Sequence, residues 1–286
     1  MSAEWSGKLK NLGKQKRIAV FNDLTGYGRC GLTVSLPIIS HMKMQCCVVP
    51  TAILSNHTGY NGFYFEDYTK NLTAYLSRWG QMELRFNAVL TGFMGCELTI
   101  DRVEDYIRIF RRRDFLLVVD PVMGDNGTIA TTYTEKMCMQ MRRLVAKADI
   151  ITPNLTEACK LTDTPYKKGQ LSEDELAAVM KRLQDLGPSK IVITGIEQDD
   201  QVANYYWEKG GEPAFIRNKK VGKQRCGTGD VFAAIITADA VNGVDFATSI
   251  QKAADFIEAC MARSVELEIP EKNGVCFEEL LDELKV

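Results

Sequence analysis

The chain is 286 residues long, 45 % apolar and 25 % charged, which is enough to bury a sizeable core and usual for a soluble globular protein. A net charge of −2 leaves no basic face for nucleic acid, and nine irregularly spaced cysteines with no CxxC pair and only two histidines argue against a zinc cluster. With no apolar leader and no apolar run long enough for a membrane span, reduced thiols in a cytoplasmic protein are the simplest account.

Residues 1–16 are polar and read as an N-terminal arm; residues 17–286 read as one domain. "RIAVFN" (17–22) is a buried-strand run, followed by a helical pattern over 31–42 and a second strand, "CCVVPTAI" (46–53). A helix over 66–80 leads to a strand at "NAVLTGF" (87–93). Ile100, Val103, Ile107 and Phe110 recur at helical spacing over 97–113, where Arg111-Arg112-Arg113 reads as a solvated helix end. "FLLVVD" (115–120) and "ADIITPN" (148–154) are strands with helices between and after them. Ser172 and Gly187 bound a helix with acids crowding its first turn, and "KIVITGI" (190–196) is the next strand. "QVANYYWEKGGEPAFIRNK" reads as an antiparallel hairpin turning at Lys-Gly-Gly. Helices at 228–242 and 246–265 and a short terminal one complete the chain. Such strand–helix alternation predicts an α/β domain whose central, mostly parallel sheet is flanked by helices on both faces and carries antiparallel edge strands.

In sheets of that kind ligands bind beyond the carboxyl ends of the strands. Five polar loops fall there: "FNDLTGYGRCG", "TAILSNHTGYNG", "LTGFMG", "VVDPVMGDNG" and "ITPNLTE". Ahead of the helix at 228 stands Gly227-Thr228-Gly229-Asp230. Glycines at a helix start expose backbone N–H groups that, with the helix dipole, suit a phosphoryl group. Asp230 then reads either as an acid capping its helix or as a base for an attacking hydroxyl. Asn154 and Glu157 read as a capping box or, with Asp120, as oxygen ligands for Mg²⁺. No GxxxxGK[ST] loop is present, so phosphoryl transfer here is not of the P-loop kind. Cys226, directly before the glycines, reads as a small apolar residue or as an oxidation-sensitive thiol.

"CGTGDVFAA" (226–234) resembles the signature of the ribokinase-like superfamily, and "LSNHTGY" (54–60), "DPVMGD" (120–125) and "TPNLTEA" (152–158) resemble its pyridoxal kinase branch, over roughly residues 17–265. The resemblance implies an ATP-dependent kinase acting on the hydroxymethyl group of a vitamin B6 vitamer, with Mg²⁺, often K⁺, and a homodimer. It implies Asp230 as the base and Gly227, Thr228 and Gly229 as the anion hole. Asp120, Asn154 and Glu157 would organise Mg²⁺ and the ATP phosphates, with Thr194 and Gly195 also near the nucleotide. Tyr27, Thr51, His57 and Phe93 would border the pyridine ring. Where such kinases carry a Gln-Ser-like pair, this chain has Asn22-Asp23. Asp23 is expected to touch the ring's polar edge, across the pocket from Asp230, and to favour an ammonium-bearing vitamer. A kinase of another small alcohol, such as hydroxymethylpyrimidine, and a non-catalytic vitamer-binding protein are the alternatives.

Overall fold

The computed structural model describes residues 15–110, 115–167 and 171–285. The arginine run at 111–113 and all but the end of the N-terminal arm lie outside the described residues.

Nine strands form one sheet in the order β11-β10-β9-β8-β5-β4-β1-β2-β3. Within it β1 (Arg17–Thr25) runs parallel to β2 (Gln45–Leu54) on one side and to β4 (Ala88–Thr91) on the other. β5 (Leu116–Val119), β8 (Ile150–Ile151) and β9 (Lys190–Gln198) extend the parallel set. The pleat sorts β1 between two cores: Ala19 and Phe21 face one, Ile18 and Val20 the other. The first core is covered by α2 (Thr69–Gln81), α3 (Glu97–Phe110), α4 (Glu135–Val145), α5 (Leu155–Leu161) and α6 (Glu173–Leu186). The second is covered by α1 (Leu32–His41), α7 (Thr228–Asn242) and α8 (Phe246–Glu266). Residues Val231 to Asp239 of α7 are all buried, so that helix is apolar on nearly every side and lies inside the layer.

β10 (Gln201–Glu208) and β11 (Ala214–Lys219) form the expected antiparallel edge. Two features were not expected. β3 (Phe65–Asp67) pairs antiparallel with β2 at the opposite edge, which moves the start of the next helix from 66 to Thr69. The loop after β5 folds into a small hairpin, β6 (Gly124–Asp125) with β7 (Thr128–Ile129), around an Asn126-Gly127 turn with φ 51° and 76°. Three- and two-residue strands are too short to show alternation. The strand expected over 148–154 is only Ile150–Ile151; beyond it Asn154 keeps an isolated parallel bridge to Thr194 while its side chain caps α5. Among the described residues no helix is long and apolar enough to cross a membrane.

The chain steps outward from β1 to β2 and returns to β4 on the far side. That reversal leaves a crevice beyond the carboxyl ends of β1 and β4.

Candidate active site

Gly227 stands at the N-cap of α7 with φ 86°, and no side chain caps the helix there. A side chain at that position would collide with the carbonyl of Arg29 as well as strain the backbone. The first N–H groups of a helix have no intrahelical acceptor, and here they open into the crevice beside Asp120: a Cβ on Gly229 would lie 3.9 Å from Asp120 Oδ2. The Thr228 hydroxyl turns back and donates to Arg225 O (3.3 Å), leaving backbone amides to form the hole.

Asp230 sits one residue further, with both oxygens held. Asn22 Nδ2 donates to Oδ1 (2.8 Å) and the Gly31 N–H donates to Oδ2 (2.9 Å). Burial, and then the neighbouring Asp23 charge, push its pKa up to about 6 despite those two donors. Asp23 does not lie across the pocket. It is buried under Gly31, its carboxylate accepts from the Thr25 hydroxyl, and burial raises its pKa. The Asp23 and Asp230 carboxylates thus share one side of the crevice, and Asn22 is the half of the pair that touches Asp230.

The residues expected around a ring take two different places. Thr51 is wholly buried and donates its hydroxyl to Phe93 O (2.7 Å), so it fixes the wall from behind. Phe93 packs edge-on against Tyr133 at 6.0 Å. Tyr27 is 54 % exposed at the rim, 5.8 Å from Tyr60. His57 Nδ1 accepts from the Gly59 N–H (3.0 Å), so Nε2 carries the proton and donates to Lys272 O (2.6 Å). Its ring is wedged between Gly28 and Gly59, either of which would clash with it if given a side chain.

Lys272 belongs to a segment that no motif marked. Tyr60 donates to Asn273 Oδ1 (2.6 Å), Asn273 Nδ2 donates to the Tyr27 hydroxyl (3.0 Å), and Arg29 donates to Asn273 O (3.0 Å) and Glu278 (2.7 Å). Arg225 donates to Pro270 O (3.1 Å), and the Val275 N–H to Cys226 O (3.1 Å). Residues 270–278 therefore strap the ring loops to the loop ahead of the anion hole. These contacts join partners more than 200 residues apart or tie together loops, so no local periodicity announces them.

On the nucleotide side Asn154 and Glu157 form a complete capping box. Glu157 Oε1 accepts from the Met123 N–H (3.0 Å) and Oε2 from the Asn154 N–H (2.8 Å), while Asn154 Nδ2 donates to Gly124 O (2.9 Å). Burial pushes Glu157 up to about 8, and burial followed by Glu157 and Asp230 raises Asp120 well above the carboxylate range. Asp120 Oδ1 accepts from Thr152 (3.1 Å). Thr194 lies beside Asn154 through an isolated parallel bridge, and Gly195 has φ 69° with open space where its side chain would be. Among the described residues no group of three His, Cys, Asp or Glu could by itself hold a metal ion.

The chain is 36 % identical to a Bacteroides thetaiotaomicron protein, provisionally described as a phosphomethylpyrimidine kinase and crystallised with pyridoxal, covering 96 % of both chains with a TM-score of 0.91. It is 27 % identical to pyridoxal kinase from Lactobacillus plantarum, covering 94 % of this chain and 96 % of that one with a TM-score of 0.86. It is 28 % identical to the pyridoxine/pyridoxal/pyridoxamine kinase of Bordetella avium over 267 residues, 86 % of each chain. The pattern of the phosphomethylpyrimidine kinase family matches residues 27–275, and with the anion hole and held carboxylate described above the chain belongs to that family.

Proposed function

We propose that this protein transfers the γ-phosphoryl group of MgATP to the hydroxymethyl group of a vitamin B6 vitamer: pyridoxal, pyridoxine or pyridoxamine. The observation that carries the reading is Asp230, held by two donors at the start of a helix whose N-terminus no side chain caps. Its likeness to two B6 vitamer kinases and to a chain crystallised with pyridoxal supports that substrate class.

In this reading Asp230 takes the hydroxyl proton as the alcohol oxygen attacks the γ-phosphorus. The bond to the bridging oxygen breaks and ADP leaves. The amides of Gly227, Thr228 and Gly229 hold the charge that spreads over the transferring group. Most of the acceleration comes from alignment and charge neutralisation. Asn154 and Glu157 bind backbone groups through both ends of their side chains, so they fit shaping the nucleotide loop better than direct metal ligation. Asp120 is the carboxylate that faces the anion hole. That donor set fits an ion carried mainly by phosphates and water, as Mg²⁺ prefers, and bound Mg²⁺ would neutralise the β- and γ-oxygens. Thr194 and Gly195 would border the phosphates.

Tyr27 and Phe93 would contact the ring directly, and Thr51 and His57 would position those walls. A homodimer, K⁺ dependence, a cytoplasmic location and a single domain spanning 17–286 complete the proposal. Sedimentation and activity in K⁺ against Na⁺ test the first two.

The deciding experiment is steady-state turnover of the three vitamers and of hydroxymethylpyrimidine, followed as ADP release, with the parent and Asp23→Ser. Turnover of a vitamer is expected. Activity on hydroxymethylpyrimidine alone would assign the second activity, which the family's description favours. Vitamer binding without ADP release would make the protein a binder. A pyridoxamine preference that survives Asp23→Ser would remove Asp23 from substrate selection.

A further inference from the structure

Asn22 is 3 % exposed towards the carboxyl end of β1, where the sheet order reverses. Its Oδ1 accepts two backbone N–H groups, from Asp23 (3.0 Å) and from Phe93 (2.8 Å). Only the amide oxygen can accept, so the amide is oriented without ambiguity and its N–H bonds point the other way. There Nδ2 meets Asp230 Oδ1 at 2.8 Å. Gly92 closes over the flat face of the amide: a Cβ there would be 2.6 Å from Cγ, Oδ1 and Nδ2 alike. Asn22 therefore cannot flip, tilt or withdraw without breaking backbone bonds to two strands.

We propose that Asn22 is the positioning residue of Asp230, aiming its carboxylate and coupling it to the Phe93 wall of the ring pocket. The proposal rests on the reading of Asp230 as the base. One amide group spans the two surfaces that must be in register for transfer: the wall that sets where the ring lies, and the oxygen that receives the proton. Thr51 holds Phe93 O while Asn22 holds Phe93 N–H, so the peptide on both sides of Phe93 is fixed to β1 and β2. A donor to the carboxylate also favours its charged form, which a base needs. Of the other titratable groups facing Asp230, Asp23 opposes that form from the β1 side, while Cys30, held as a neutral thiol, and Asp120 at the end of β5 feel the charge of Asp230. Asn22 and the Gly31 N–H are the donors that answer Asp23.

Asn22→Asp separates positioning from support. It keeps an oxygen for the two backbone N–H groups, removes the donor, and sets a second carboxylate against Asp230. Two carboxylates in one site raise one pKa strongly. The acid limb of kcat/KM is expected to move up by roughly one pH unit or more, with kcat recovering in part at pH 9 and KM for MgATP within about threefold of the parent. Asn22→Ala, which removes the donor without adding charge, replaces it if the first variant does not fold and is expected to move the limb the same way by less. The titration of Asp230, followed by carbon-13 NMR and assigned with Asp230→Asn, is expected to shift upward in both. That measurement does not depend on turnover, so a protein inactive on every alcohol would overturn the proposed function and still report on Asn22. An unmoved Asp230 titration, or a kcat lowered equally at every pH, would overturn the positioning role.

Discussion

Opposing influences set the pKa of Asp230. In the proposed role, a base for an alcohol gains from being charged, yet burial and Asp23 favour the neutral form, and the outcome is a value of about 6. Such a group is mostly ionised at neutral pH but keeps some basicity. Asp230→Asn is expected to lower kcat by about a thousandfold while leaving MgATP affinity near that of the parent, measured by single-turnover kinetics and calorimetry. The kcat/KM of the parent should fall below pH 6 with a slope of one proton. The residue types of the candidate site stood out in the sequence because the Gly-Thr-Gly-Asp run, which alone also reads as a helix cap, coincides with five polar loops at the carboxyl ends of strands. Directions were not legible there. Asp23 looked like the functional half of its pair because it is charged, but the pleat and Gly31 bury it, and the neutral Asn22 reaches Asp230.

At the scale of elements, the site depends on close approach between strands and loops. β1 and β4 come together at Asn22 and Gly92, where no side chain fits. Gly92→Ala is expected to lower Tm by roughly 3–8 °C through overpacking, and to reduce kcat by displacing the Asn22 amide. The strap at 270–278 acts on the opposite wall. Asn273→Ala frees Tyr27 and Tyr60 together, and should raise KM for the vitamer about tenfold with KM for ATP unchanged. Parallel strands and amphipathic helices were readable because each repeats its own period. The strap, the short β3 and the Asn126-Gly127 hairpin were not, because backbone ladders and long-range hydrogen bonds make them. Asn154 and Glu157 show the intermediate case. Their spacing announced a capping box, and it is one, but spacing could not tell that both ends of each side chain would bind backbone.

For the whole molecule, the crevice gathers carboxyl groups that folding has moved out of water. Asp23, Asp120, Glu157 and Asp230 all titrate above their ordinary values, mainly through burial. A raised carboxyl favours folding when protonated. Its contribution is complete below the unfolded value near 4 and is lost as pH rises through the folded one. For Asp230 and Glu157 that window runs up to about 6 and about 8. The Tm of Asp230→Asn relative to the parent should therefore climb between pH 5 and pH 8, by calorimetry, because the variant has no charge to bury. Adding Mg²⁺ and ATP should stabilise the parent more at pH 8 than at pH 6.

The strap also bears on the order in which a new chain acquires its properties. Among the described residues, everything up to residue 269 includes the eleven strands and eight α-helices, so most of the apolar packing precedes the strap. Lys272 and Asn273 add the ties from the strap to Tyr27, His57 and Tyr60, and Pro270 and Val275 add those to the loop bearing Cys226. During vectorial synthesis the wall proposed to border the ring is thus completed only after the strands and helices that carry it, so ligand binding follows the folding of the body and does not template it.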